Sequence, residues 1–240
     1  MSFLEHLDEL RRRLVVAVSA IGVGFLIAFA FIDRIFGFIM RPLQQILPAG
    51  GKLVYTEPTE AFMLQLKVAA LAGLVIAAPV IMWQLWLFVA PGLYAKEKRF
   101  ALPFVLFSTV SFVGGAAFSH YIVFPAAWKF FASFNNDYMQ FMPKISEAFG
   151  LYSYMMLAFA VIFQMPTLVL ALARMGVVTA GFLWRHTKYA ILIIFILAAV
   201  ITPSSDVVNQ TLMAGPMIAL YLLSIIIAWV FGKKRRTSDD

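Results

Sequence analysis

The stretch LVVAVSAIGVGFLIAFAFI, residues 14–32, contains no charged side chain. A helix that crosses the hydrocarbon core of a bilayer needs about 20 consecutive apolar residues, so this stretch predicts a membrane-spanning helix. The composition of the whole chain agrees, because 62% of its 240 residues are hydrophobic and 13% are charged. Soluble domains are about half apolar and about a quarter charged, which excludes a water-soluble fold for most of this chain.

Five further apolar stretches have the length, or nearly the length, of a membrane span. The fifth span is short, since its apolar part covers residues 189–201, and we expect residues 184–188 to extend it toward the membrane surface. The prediction is an all-α polytopic membrane protein in which residues 1–240 form a single membrane domain. Its six spans are predicted at 14–32, 68–89, 101–124, 148–173, 187–202 and 207–231, followed by a basic tail at 232–240.

Two patterns inside these spans predict how the helices bend and pack. Small residues recur every four positions in the second span, which predicts a ridge that lets a neighbouring helix approach closely. Prolines predict kinks, because proline removes a backbone donor and clashes with the preceding turn. The small residues are Ala69, Gly73 and Ala77, and the prolines are Pro79, Pro103 and Pro166.

The distribution of basic residues predicts the orientation of the chain. With the N-terminus inside, the inner segments hold thirteen Lys and Arg residues and the outer segments hold six, while the acidic residues divide six and six. Cytoplasmic loops carry such an excess of Lys and Arg, so both termini are predicted to be cytoplasmic. The net charge of +7 is therefore a topology signal, and we expect no nucleic-acid partner.

Several classes of chemistry have no motif in this chain. There are no cysteines, which excludes disulfides and thiolate metal sites. The three histidines, His6, His120 and His186, are not at metal-ligand spacing. No P-loop, HExxH motif or nucleophile elbow occurs. We therefore expect no metal, no cofactor and no enzyme activity.

The two long outer segments, 33–67 and 125–147, are predicted to form a cap on the outer surface. RIFGFIMRPL at 34–43 and PAAWKFFASF at 125–134 mix aromatic and basic residues, as interfacial helices do. In EPTEAF at 57–62, Pro58 and Thr59 predict the start of a helix.

Acidic residues occur near the start of the chain, before the first predicted span. Basic residues alone would be enough there to orient the chain in the membrane. In FLEHLDELRRRL, residues 3–14, the apolar positions recur at helical spacing and predict a short amphipathic helix on the inner membrane surface. Glu9 with Arg13, and Asp8 with Arg12, are favourable i,i+4 pairs. These acids either stabilise the helix locally or form a surface for a guanidinium guest. Glu97 is predicted at the same membrane face, among three basic neighbours. It is either neutralised by those neighbours or forms part of a surface for a guanidinium guest.

Five motifs occur in order along the chain and together resemble the TatC family, the polytopic core of the twin-arginine protein translocase. The resemblance implies a receptor and scaffold in the cytoplasmic (inner) membrane, with kinked helices forming a concave wall under outer caps. It implies that Glu9 and Glu97 contact the arginine pair of signal peptides on folded cargo. The motifs are HLDELRRRL at 6–14, EPTEAF at 57–62, FVAPGLYAKEKR at 88–99, FQMP at 163–166 and ITPSSDVVNQ at 201–210.

The resemblance also implies partners. They are small single-span subunits of the TatA and TatB type and further copies of the chain within the complex, with export driven by the proton gradient. Gln164 replaces the glutamate that family members often carry in the fourth span. It either joins helices within this protein or receives a partner helix. Asp206 and Gln210 are assigned to the outer turn, where Asp206 is also a preferred helix cap and both positions match an assembly region.

The alternative function is an ion-coupled transporter of small solutes. Transporters usually show internal repeats and ionisable groups at the membrane midplane. This chain has no convincing repeat, and the polar residue inside its fourth span is the neutral Gln164.

Overall fold

The computed structural model of the chain describes residues 3–47, 53–89, 101–136, 138, 141–202 and 206–232. These ranges contain eleven α-helices and one π-helical turn, Ser119–Val123. The helices are α1 (Phe3–Ala30), α2 (Ile32–Gln44), α3 (Glu60–Ile76), α4 (Ala78–Val89), α5 (Ala101–Phe118), α6 (Phe124–Ala132), α7 (Ile145–Ile162), α8 (Met165–Arg174), α9 (Ala180–Arg185), α10 (Thr187–Ile201) and α11 (Val207–Phe231).

The chain divides into two compact units, residues 1–157 and residues 158–240. The first contains α1 to α6 and most of α7, and the second contains the end of α7 and α8 to α11. The single membrane domain of residues 1–240 stays a prediction.

The N-terminal amphipathic segment and the first span form one continuous helix, α1. The prediction of a separate short helix on the membrane surface is therefore wrong. The physical reason lies in residues 10–14, which are leucine and arginine throughout. Both residue types have high helix propensity, and no glycine or proline interrupts the turn between the polar and apolar parts.

α1 and α3 meet at two glycines. A Cβ atom added at Gly73 would lie 2.5 Å from the Phe25 backbone nitrogen, and one added at Gly24 would collide with the Gly73 carbonyl oxygen. Ala69 and Ala77, one turn to either side of Gly73, are buried. The predicted small-residue ridge is confirmed, since only glycine allows the two backbones to approach this closely.

Of the three predicted proline kinks, the one at Pro79 is present as a bend, and Pro166 coincides with an interruption of the helix. α3 and α4 meet at an angle of 54°, and Pro79 lies in the first turn of α4. The fourth predicted span is interrupted at Phe163–Gln164, directly before Pro166 in the first turn of α8. The kink predicted at Pro103 is wrong, because Pro103 lies in the first turn of the unbroken α5. The missing N–H of proline costs little at that position.

The described helices fit a polytopic membrane fold. Four stretches are long and apolar enough to cross a membrane, and the bent pair of α3 and α4 qualifies as a fifth. α10 is shorter, with 15 residues that reach about 22 Å. These six segments coincide in order with the predicted spans, while the crossing by α10 and the orientation of the chain stay predictions. The four stretches are His6–Ala30, Ala101–Ala132, Ile145–Arg174 and Val207–Phe231.

The two segments predicted to be interfacial are helical, as α2 and α6. α2 is amphipathic: Ile39, Met40 and Leu43 are buried, whereas Arg34 and Arg41 are exposed. Thr59 precedes the first residue of α3, which confirms the helix start predicted from EPTEAF.

The contacts within the described part of the second unit include a small apolar cluster and hydrogen bonds between its helices. Val169 and Ala173 of α8 pack against Ala228 of α11. The Tyr221 hydroxyl of α11 donates to the Leu183 carbonyl of α9 at 2.7 Å. The Gln210 side-chain amide donates to the Phe195 carbonyl of α10 at 3.0 Å.

Candidate functional site

Glu9 lies on α1 and binds an arginine of its own chain. The Arg13 Nη2 atom donates to Glu9 Oε1 at 3.1 Å, which confirms the predicted i,i+4 pair. The Glu9 side chain is 19% exposed and the Arg13 side chain 28%. The second carboxylate oxygen, Oε2, has no hydrogen-bond partner among the described residues. Glu9 is therefore partly paired, partly exposed and still able to accept.

Arg13 is also held by α4. Its Nη1 atom donates to the Gln84 side-chain oxygen at 3.4 Å. About two turns earlier on α1, the His6 ring stacks on Phe88 with centroids 4.6 Å apart. Both contacts fasten the polar end of α1 to the last two turns of α4.

Asp8 and Arg12, the other predicted pair, form no ion pair with each other or with another described residue. Both side chains are exposed. Glu9 therefore differs from its acidic neighbour in being held beside α4, which gives it a defined position.

Glu97 lies outside the described residues. Its segment continues the chain from the end of α4, and Glu97 is eight residues beyond Val89. Because His6 and Arg13 contact that end of α4, the Glu9 carboxylate lies near the point from which the Glu97 segment departs.

Gln164 occupies the interruption between α7 and α8. It precedes the first residue of α8, its side chain is half-buried, and it makes a contact within the structure. Its backbone carbonyl accepts from Leu168 N–H at 2.8 Å, which begins the new helix. The side chain does not cap α8.

Asp206 caps α11, as one of its two predicted roles requires. Its Oδ1 atom accepts from the Asn209 backbone N–H at 2.8 Å, and its Oδ2 atom accepts from the Asn209 side-chain amide at 2.8 Å. Four residues along, Gln210 ties α11 to α10 through the Phe195 carbonyl. These contacts define the start of α11, and an assembly role for either residue stays a prediction.

Comparison with protein-family profiles matches residues 5–216 to the family described as Sec-independent protein translocase protein (TatC). The chain belongs to the TatC family. The predicted resemblance is thereby confirmed over nearly the whole chain. Family membership makes the protein a translocase component rather than an enzyme, and it favours this function over the alternative of a small-solute transporter.

Curated TatC sequences align along most of their own length. The TatC of Desulforapulum autotrophicum is 47% identical over 238 residues, which cover 99% of this chain and 88% of the relative. The TatC of Koribacter versatilis is 44% identical over 239 residues, which cover 98% and 88%.

Two crystal structures described as the twin arginine translocase receptor TatC share the fold. One superposes with a TM-score of 0.79 at 35% identity and covers 93% of this chain and 97% of that chain. The other, in DDM, gives a TM-score of 0.81 at 34% identity and covers 95% and 100%. The predicted all-α polytopic fold is therefore confirmed as the TatC fold.

Sequence analysis missed one polar cluster of this TatC chain, around Glu60. The carboxylate of Glu60 is buried and accepts from the backbone N–H groups of Thr56 at 3.0 Å and Ser146 at 3.3 Å. Lys144 Nζ lies 3.7 Å from the Glu60 carboxylate, and a parallel bridge joins Lys144 to Val54. These segments are ordered by their mutual contacts, and their place in a cap on the outer surface stays a prediction. No sequence signal connects Glu60 to Ser146, because the two lie 86 positions apart.

The contact between Arg13 and Gln84 was missed for the same reason, since 71 positions separate the two residues. A polar amide inside an apolar span was the available signal, because such a group requires a partner. In the described part of this TatC chain, no group of three His, Cys, Asp or Glu side chains could hold a metal ion.

Proposed function

We propose that this TatC-family chain is the receptor and scaffold of a twin-arginine translocase, and that Glu9 and Glu97 bind the arginine pair of signal peptides on folded cargo. The binding face is cytoplasmic, both termini are cytoplasmic, and the protein resides in the inner membrane. The observation that carries this proposal is the Glu9 carboxylate, which already accepts from one guanidinium and keeps its second oxygen open.

The chemistry of the site favours arginine over lysine. A guanidinium presents donors in a planar fork that matches a carboxylate, whereas an ammonium group is a point charge. Arg13 uses a single nitrogen, Nη2, on Glu9 because its Nη1 is directed to Gln84. A guest guanidinium can therefore share Glu9 through Oε2 or replace Arg13 on both oxygens.

The membrane surface strengthens such a pair. Glu9 lies on the polar end of α1, directly before the apolar part of the same helix. Charges beside a low-dielectric region interact more strongly than charges in free water. The signal's own apolar stretch then follows the arginine pair into the bilayer.

Partner subunits of the TatA and TatB type bind at the second unit in this proposal. The interruption at Gln164 supports it, because an amide beside a broken helix offers hydrogen bonds to a helix that carries a polar side chain. Further copies of the chain complete the complex, and the proton gradient supplies the energy, as the resemblance to the TatC family implies.

The proposal is tested by photo-crosslinking a signal peptide to detergent-solubilised protein. The peptide carries either Arg-Arg or Lys-Lys, and the protein carries Glu9→Gln, Glu97→Gln or both. We expect the arginine peptide to crosslink to the unmodified protein and to lose most of its yield with the double variant. Asp8→Asn, which removes the exposed neighbouring carboxylate, is the matched control and should leave the yield unchanged. Arginine-dependent crosslinking that persists in the double variant contradicts the site.

A further inference from the structure

We propose that an open cavity between α2 and α6 binds the head group of an anionic phospholipid. The cavity has a volume of about 570 Å³ and is bordered by the last turn of α2, the π-helical turn and α6. It is referred to below as the α2–α6 cavity. It belongs to the first unit, shares no lining residue with the Glu9 site and does not depend on the proposed signal-peptide function.

The lining of the α2–α6 cavity is positively charged. Arg41 of α2 and Lys129 of α6 both line it, both are exposed, and none of the nine lining residues is acidic. Neither cation forms an ion pair with a described residue. Lys144, in the same unit, is instead neutralised by Glu57 at 3.5 Å and Glu60 at 3.7 Å. The α2–α6 cavity thus presents two cations that lack a counter-charge within the described part of the chain.

The back wall of the cavity is held in place by buried contacts. His120 is 5% exposed, and its Nδ1 atom is hydrogen-bonded to the Tyr152 hydroxyl at 3.0 Å. The ring of Phe38, which also lines the cavity, stacks against the His120 ring with centroids 4.4 Å apart. His120 lies in the π-helical turn, an irregularity that occurs frequently at functional sites. The wall is therefore built by packing rather than by mobile surface side chains.

The surroundings of the cavity match a lipid better than a soluble anion. Tyr121 and Ile122 beside it are 65% and 51% exposed, and Phe38 at its rim is 46% exposed. The apolar stretch Ala101–Ala132, which is long enough to cross a membrane, passes through the cavity wall. Acyl chains can therefore lie along this apolar surface while the phosphate reaches the cations.

Arg41 and Lys129 then hold the phosphate oxygens by charge-assisted hydrogen bonds. Basic pockets between membrane helices bind anionic head groups in this manner on the cytoplasmic side of membranes, and the α2–α6 cavity offers the same chemistry in segments predicted on the outer side. The Gln45 side chain at the same rim can bond hydroxyl groups of the head group. These groups select a lipid that carries net negative charge and a polar head.

Native mass spectrometry of the detergent-solubilised chain tests the proposal. The probes are a phosphatidylglycerol, a phosphatidylcholine with the same acyl chains, and inorganic phosphate. We expect phosphatidylglycerol to bind more tightly than phosphatidylcholine. The double variant R41Q/K129Q should bind phosphatidylglycerol about thirtyfold more weakly, since each cation near a lipid surface contributes roughly a fivefold factor.

The matched control is the double variant R34Q/K67Q. It removes the same two charges from the same unit, and both side chains are exposed and outside the cavity lining. The control should retain phosphatidylglycerol binding within about threefold. The double variant R41K/K129R keeps both charges and should also retain phosphatidylglycerol binding. Comparing it with R41Q/K129Q therefore separates the effect of lost charge from the effect of lost folding.

Three results overturn the proposal. Equal losses in R41Q/K129Q and R34Q/K67Q would mean that lipid binding follows overall charge. Loss of binding in the charge-conserving exchange would mean that the substitutions act through the fold. Tight binding of inorganic phosphate, with no added affinity for phosphatidylglycerol, would mean that the cavity takes a free anion and no lipid.

Discussion

Glu9 binds Arg13 on the same helix, so a guanidinium group of a signal peptide must share Glu9 with Arg13 or displace it. The pair is partly exposed, and i,i+4 pairs of this kind contribute about 0.2–0.5 kcal/mol. A guest that brings two guanidinium groups can outcompete so weak a contact. Arg13 therefore holds the Glu9 side chain in place without blocking it.

The first prediction follows from that competition. Arg13→Gln removes the resident guanidinium and a repulsive charge, so an Arg-Arg peptide should bind about twofold to threefold more tightly. Affinity is measured by fluorescence anisotropy with a labelled signal peptide. Arg12→Gln, which removes the same charge from an exposed side chain, is the control and should have a smaller effect. Weaker binding in Arg13→Gln would show that Arg13 helps to hold the peptide.

The second prediction concerns Glu60. Glu60→Ala leaves the N–H groups of Thr56 and Ser146 without their acceptor, which should destabilise the first unit by about 1–3 kcal/mol. The melting temperature in detergent, followed by tryptophan fluorescence, reports the change. Glu57→Ala is the matched control, because the Glu57 side chain is 69% exposed and its ion pair contributes at most about 1 kcal/mol. Equal melting temperatures for the two variants would contradict the role assigned to Glu60.

At the scale of residues, sequence analysis predicted local contacts and missed distant ones. The pair of Glu9 with Arg13 follows from helical spacing, and the cap that Asp206 forms on α11 follows from the preference of Asp for the position before a helix. The contacts of Gln84 and Ser146 join segments 71 and 86 positions apart. No periodicity connects such segments, because their meeting depends on how whole helices pack.

At the scale of elements, the close approach of α1 and α3 depends on Gly24 and Gly73. Helices in a bilayer gain little from the hydrophobic effect between them, so close backbone packing contributes a larger share of their association. The ridge on α3 was legible from its four-residue spacing. Its partner Gly24 could not be predicted, because α1 carries two glycines and the sequence does not show which of them contacts α3. In the structure Gly24 meets Gly73, whereas Gly22 faces open space.

The third prediction uses that difference. Gly73→Ala places a Cβ atom against the Phe25 backbone nitrogen and should destabilise the first unit by about 1–3 kcal/mol. Gly22→Ala is the control, since nothing lies within 4 Å of its added Cβ atom, and it should leave the melting temperature unchanged or raised. If both variants melt alike, the contact between α1 and α3 is not as close as described.

The fourth prediction concerns the start of α11. Asp206→Ala removes the acceptor for the Asn209 backbone N–H and side-chain amide, which should cost about 1 kcal/mol of stability. Asp33→Ala is the control, because Asp33 lies in the first turn of α2 without a described cap bond. Limited proteolysis near residue 206 measures the loosening. A variant that resists proteolysis as well as the unmodified protein would leave the cap without a measurable role.

At the scale of the whole molecule, the proposed functions are divided between the two units. Glu9 and the α2–α6 cavity belong to the first unit, whereas Gln164 and Asp206 belong to the second. Hydropathy predicted the six helical segments in order, because bilayer thickness constrains the length of each span. It did not predict that α1 is continuous, since hydropathy marks where polarity changes and not where a helix ends.

The central claim is that the Glu9 carboxylate contacts a guanidinium of the signal peptide, and a double-mutant cycle tests it most directly. The cycle combines Glu9→Gln in the protein with an arginine-to-glutamine change in the peptide and measures the four dissociation constants. The account predicts a coupling free energy of about 1.5 kcal/mol or more for Glu9 with one of the two arginines. The same cycle with Asp8→Asn should give a value near zero. A coupling near zero for Glu9 with both arginines would contradict the account.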